Sequence, residues 1–172
     1  MVVEPCPALG CGNSGKLRRS SPPQSKIVIF YADASFLFSF FADDSNSGQA
    51  DRWMRGGPEL PLIVTRLGIF ECENAMRTAV VDHRLALEEQ REASKRIKRA
   101  LSEGFLVRRE VSASQWFPQA HRLSAFNSEA RAFGALDILH VAAALILHAD
   151  GFLSFDANQR LLAEGEGLLA VP

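Results

Sequence analysis

Cysteine is scarce in this chain. Cys6, Cys11 and Cys72 are the three among 172 residues, which gives no disulfide framework and fits a reducing, cytoplasmic compartment. No apolar run approaches the length of a bilayer span and no signal peptide opens the chain, so no membrane role is expected. Charge of one sign is also lacking. Nineteen basic residues against 20 acidic leave a formal net charge of −1, so contact with a nucleic acid would have to come from a local basic patch. What remains is ordinary globular material, 47% hydrophobic and 23% charged, and long enough for one domain with a proper core.

Residues 1–25 read as an extension outside that domain: prolines, glycines and serines without sustained periodicity, a composition that buries little. Gly10 to Lys16 has the GxxxxGK spacing of a phosphate loop. However, Leu17 stands where Ser or Thr would hold Mg²⁺, and Pro5, Pro7, Pro22 and Pro23 flank a segment that needs a strand before it and a helix after it. The domain is therefore placed at 26–172.

The domain alternates strand-like and helix-like segments. Residues 27–33 form a β-branched and aromatic run ending in Asp33, and residues 151–156 a short apolar run ending in Asp156. Between them, strands are expected at 60–64 and 105–107, helices at 34–43, 46–55, 65–81, 84–103 and 135–147, and one or two helices over 112–131. A last helix at 158–164 and a strand at 168–171 close the chain. Such alternation predicts a mainly parallel sheet flanked by helices, with ligands beyond the carboxyl ends of the strands. Asp33 and Asp156 stand at that edge, although each is also a good helix N-cap.

Two further carboxylates stand out by position. On the 65–81 helix, Glu73 shares an arc with Arg66 and Arg77, the spacing of a solvated ion pair. Glu71 falls on an arc with Leu67, Asn74 and Thr78 and has no basic neighbour there, so it is either functional or packed against a partner elsewhere. Asp137 lies in the first turn of a helix apolar almost all round, where an anion is expensive unless paired or metal-bound. His140, three residues on, reads as a structural histidine that orients Asp137 rather than as a ligand. The long helix at 84–103 carries its glutamates early and its bases late, which suits the helix dipole. Its basic end continues toward Arg108 and Arg109 as a candidate positive surface. If the strands are parallel, Asp33, Glu71, Asp137 and Asp156 converge on one edge. Hard oxygen donors with no thiolate suit Mg²⁺ or Mn²⁺ and, with it, phosphodiester hydrolysis.

The residues that make this case are Tyr31-Ala-Asp33-Ala-Ser35, Glu71 with Asn74, Leu136-Asp137-Ile-Leu-His140, and Phe152-Leu-Ser-Phe-Asp156 with Gln159. In that order they resemble a PIN domain, closest to the VapC-like toxins of prokaryotic toxin–antitoxin systems, over roughly residues 26–172. The resemblance implies a PIN-like three-layer α/β/α sandwich and a Mg²⁺-dependent (or Mn²⁺-dependent) endoribonuclease. It further implies an RNA substrate, a cognate antitoxin as partner and frequent homodimerisation. By motif, Asp33, Glu71 and Asp137 match the family's metal-binding acids, and Asp156 the more variable fourth. Ser35 matches the small hydroxyl residue that supports the first Asp. Ser154, where threonine is more usual, and the N-terminal extension depart from the pattern.

Two other readings compete. A phosphatase of the haloacid dehalogenase type also begins with a strand ending in Asp, but it wants a second Asp where Ser35 stands, and no lysine is evident for its phosphate. A PIN-fold module that binds RNA or protein without cutting it is the other.

Overall fold

A computed structural model describes Met1 and residues 28–58, 60–127 and 132–172. The expected extension and the phosphate-loop-like segment lie outside these residues. Among the described residues the chain runs β1 (Phe30–Ala32), α1 (Ala34–Phe41), α2 (Ser47–Arg55), β2 (Leu62–Val64), α3 (Arg66–Val81), α4 (Leu87–Ser102) and β3 (Leu106–Arg108). It continues α5 (Ala113–Asn127), α6 (Ala135–Ile146), β4 (Gly151–Leu153), α7 (Ala157–Gly165) and β5 (Leu169–Val171). The strands make one sheet in the order β3-β2-β1-β4-β5, parallel at every pairing. The fold is a three-layer α/β/α sandwich.

Side-chain alternation along the strands explains the three layers. Phe30 and Ala32 of β1 join Leu62, Val64, Leu106 and Leu153 in a core completed by α1, α3 and α4. Tyr31, between them, points the other way and meets Ile63, Phe152, Leu123, Val141 and Leu162 in a second core. The register sets Tyr31 beside Ile63 on one side and Phe152 on the other, and the Tyr31 and Phe152 rings stack 5.6 Å apart. A strand buried on both faces needs an unbroken apolar run rather than an alternating one, and residues 27–32 supply it. The strands are shorter than expected. β1 is three residues long, and β3 is shifted one residue past the expected 105–107 because Phe105 instead packs on the Phe40 ring at 5.8 Å.

β1 is the pivot of this order. Its two neighbours, β2 and β4, are reached by connections that leave to opposite sides, which opens a crevice beyond the carboxyl end of β1. No described helix is long and apolar enough to cross a membrane.

Candidate functional site

Asp33 is the first residue past β1, and the turn into α1 holds its side chain. Its Oδ1 accepts the Phe36 backbone N–H at 2.8 Å, the helix N-cap bond. Ser35 Oγ lies 2.9 Å from each carboxylate oxygen, and Ser154 Oγ donates to Oδ2 at 2.9 Å. Both serines are themselves pinned: Phe155 N–H donates to Ser35 Oγ at 2.8 Å and Asp156 N–H to Ser154 Oγ at 3.0 Å. Asp33 N–H donates to Leu153 O at 3.0 Å, so the β1–β4 pairing brings Ser154 across. Asp33 is fully buried, and burial pushes its carboxyl above the usual carboxylate range, against the opposing pull of His140 and these hydrogen bonds.

Glu71 enters from α3, which starts at the Thr65 cap. His140 Nε2 lies 2.6 Å from Glu71 Oε2, and His140 itself is completely buried. Behind it, the Tyr31 hydroxyl lies 2.8 Å from His140 Nδ1 and 3.0 Å from Thr65 Oγ1, which in turn accepts Gly68 N–H at 3.2 Å. Burial pushes the Tyr31 phenol far up, so it keeps its proton. With a neutral ring, one arrangement gives every hydrogen an acceptor. Thr65 donates to Tyr31, Tyr31 to Nδ1, and Nε2–H to Glu71. His140 therefore orients Glu71, not Asp137 as its sequence spacing suggests. Cys72, next to Glu71, faces the core with its thiol pushed up by burial, so it is no nucleophile.

Asp137 sits in the first turn of α6, where its Oδ2 accepts Gly134 N–H at 3.1 Å and its Oδ1 accepts Gln159 Nε2 at 3.2 Å. Asp156 caps α7, its Oδ1 accepting Asn158 N–H at 2.8 Å and Gln159 N–H at 3.0 Å. Gln159 thus ties the third and fourth acids together.

These four carboxylates line a single cavity of about 430 Å³ at the sheet's carboxyl edge, together with Ser35, Asp44, Thr78, Arg84 and Gln159. Asn74 is exposed and not part of this lining. The α3 wall runs Glu71, Ala75, Thr78, so the cavity follows the i+4 and i+7 positions rather than i+3. Glu73 is turned away and pairs with Arg77 at 3.2 Å, as its spacing implies. Among the basic residues of α4, Lys95 pairs with Glu92 at 3.2 Å and Arg99 with the C-cap Glu103 at 2.7 Å, while Arg96 donates to the Phe41 carbonyl at 3.0 Å.

Sequence reasoning gave no weight to Arg84 or Asp44, or to Tyr31 and Thr65 as part of a hydrogen-bonded chain. Nothing local marks them. Gln159, three residues past Asp156 on α7, was marked in the sequence only through the family resemblance. Among the described residues no group of three or more His, Cys, Asp or Glu side chains closes into a metal cluster. Mg²⁺ keeps several waters and takes only one or two protein carboxylates, so a closed cluster of side chains is not required of a Mg²⁺ site. The cavity's acidic donors are all oxygen, and Gln159 Oε1 is a buried atom with no hydrogen-bond partner among the described residues.

A scan against protein-family models gives no match, and neither does a search of curated proteins. Solved structures do match. The sarcin–ricin loop cleaving toxin VapC20 of Mycobacterium tuberculosis is 17% identical, with a TM-score of 0.62 over 83% of this chain and 98% of that one. PAE2754 of Pyrobaculum aerophilum is 18% identical, with a TM-score of 0.56 over 86% and 93%. FitAcB of Neisseria gonorrhoeae is 10% identical, with a TM-score of 0.59 over 84% and 97%. At such identities the likeness speaks for the fold, and on that ground the chain has the PIN-domain fold of the VapC-like toxins.

Proposed function

We propose that the chain is a Mg²⁺-dependent endoribonuclease, the toxin of a toxin–antitoxin pair, with an antitoxin protein as its partner and a homodimer as its working form. One observation carries the reading: acids from β1's end, α3, α6 and the start of α7 line one cavity at the sheet's carboxyl edge. Mn²⁺ would serve the same oxygen donors. The fold shared with a sarcin–ricin loop cleaving toxin supports RNA as substrate.

A bound divalent cation supplies two things here: an activated water, and neutralisation of charge on the leaving oxygen. The chain's own residues provide the rest. Asp33, held by three donors, presents a fixed carboxylate. Glu71, gripped through Oε2 by His140, keeps Oε1 for the cavity. Asp137 and Asp156 are spaced by Gln159. The phosphatase reading lacks its second acid, because Ser35 at that position is spent on Asp33.

The test is cleavage of generic RNA by the purified protein in Mg²⁺, in EDTA and with Asp33→Asn. Cutting in Mg²⁺ alone, lost in the variant, supports the proposal. RNA that is bound but cut equally little by both proteins would favour the non-cleaving module.

A further inference from the structure

We propose that Arg84 is the phosphate-binding side chain of this site, taking a backbone phosphate of the RNA strand at the cavity mouth. This rests on the nuclease reading for its meaning but on separate observations for its support. Among the described lining residues, Arg84 carries the one positive charge, set against Asp33, Asp44, Glu71, Asp137 and Asp156. A polyanionic strand approaching five carboxylates meets repulsion that a cation in the cavity offsets only in part. Among the described residues, the guanidinium at the rim is the group placed to offset more of it.

The position of Arg84 is built rather than incidental. After α3, Asp82 N–H donates to Thr78 O at 2.9 Å, Arg84 N–H to Ala79 O at 2.8 Å and Leu85 N–H to Ala79 O at 3.2 Å. Leu85 is then buried in the core. Between them His83 adopts φ +58°, a left-handed conformation uncommon for a side chain with a Cβ. The turn thereby brings residue 84 to the cavity, while the chain on either side stays anchored.

Arg84 also keeps donors in hand. Its Nη2 meets Asp82 Oδ2 at 2.9 Å, whereas Nε and Nη1 have no partner among the described residues, and the side chain is 62% exposed. A planar fork with free donors matches two phosphate oxygens at once, which an ammonium does not. Arg77, Lys95 and Arg99 are ion-paired as Arg84 is, but they lie along helix flanks and do not line the cavity.

The experiment measures RNA binding in EDTA by fluorescence anisotropy at several KCl concentrations, and steady-state cleavage in Mg²⁺. The proteins are wild type, Arg84→Gln, Arg84→Lys and Asp33→Asn. Arg84→Gln is expected to weaken binding roughly tenfold and lower the salt slope by about one, as loss of one phosphate contact does. Arg84→Lys should restore the slope but not the full affinity. In cleavage, KM should rise more than kcat falls, and the thermal midpoint and Mn²⁺ affinity should stay at wild-type values. Wild-type affinity and slope in Arg84→Gln would overturn the proposal, even if Asp33→Asn abolishes cutting and the nuclease reading stands. If wild type and Asp33→Asn cut equally little, the nuclease reading fails, and the anisotropy result still decides whether Arg84 binds phosphate.

Discussion

Replacing Asp33 with asparagine should make the protein more stable while it removes the activity. Asp33 is fully buried, and among the described residues the hydrogen bonds to its carboxylate come from a backbone N–H and two serine hydroxyls, with no lysine or arginine bonded to it. Burial raises its folded-state pKa above the unfolded value of about 4. Between that pH and the folded-state pKa the folded state therefore holds the extra proton. Stability from this group is fully present below about pH 4 and is lost as pH rises through the folded-state pKa. Asparagine keeps the N-cap acceptor for Phe36 N–H, since Asn caps as well as Asp. It forfeits about 0.3–1 kcal/mol of charge–dipole attraction and the acceptor of Ser154 Oγ, which the serine hydroxyls offset by rotating to accept from the amide, and it relieves a desolvated charge worth about 1–3 kcal/mol.

In EDTA at pH 8, Asp33→Asn should thus melt a few degrees above wild type, at about 2–4 °C per kcal/mol for a domain of this size. The gap should close toward pH 4. Added Mn²⁺ at about a hundred times its Kd should stabilise wild type by about 2.7 kcal/mol and leave the variant unmoved. The assay is thermal melting from pH 4 to 9, with and without the metal. A variant that melts below wild type at pH 8 and shows the same pH slope would refute the reasoning, because capping geometry and not buried charge would then dominate.

Other substitutions separate site from scaffold. Glu71→Gln should abolish metal-dependent cleavage. Glu73→Gln should leave it intact and shift stability by no more than about 0.5 kcal/mol, since it loses only an exposed i,i+4 pair. His140→Ala strips a partner from both Glu71 and Tyr31. At about 1–3 kcal/mol for each polar group left unsatisfied, its melting midpoint should fall by several degrees, with kcat reduced. Gly151→Ala should destabilise by about 1–3 kcal/mol without touching the cavity, because a Cβ there would lie 2.2 Å from Phe30 Cε1. Wild-type melting would show that Phe30 repacks freely.

The parts of this fold legible in the sequence were those governed by short-range pattern. Asp33 and Asp156 were marked by apolar runs that stop at an acid, and Glu71 was separated from Glu73 by helical phase and the Arg77 pairing. What escaped depends on long-range assembly. The neighbour of His140 at helical spacing is Asp137, but α6 and α3 meet across the sheet edge, and the bond goes to Glu71, 69 residues away. Asn74 and Ala75 differ by one step of the helix, and the cavity lies on the side of Ala75, a choice the periodicity leaves open. Arg84 follows a left-handed histidine in a turn, and no periodic signal covers such a residue.

The central claim is that acids from four separated segments share one divalent-cation site. Calorimetric titration of Mn²⁺ into wild type, Glu71→Gln, Asp137→Asn and Glu73→Gln tests it most directly. The account predicts saturable binding by wild type and Glu73→Gln, and at least tenfold weaker binding by the other two. Equal affinity in all four proteins would contradict it.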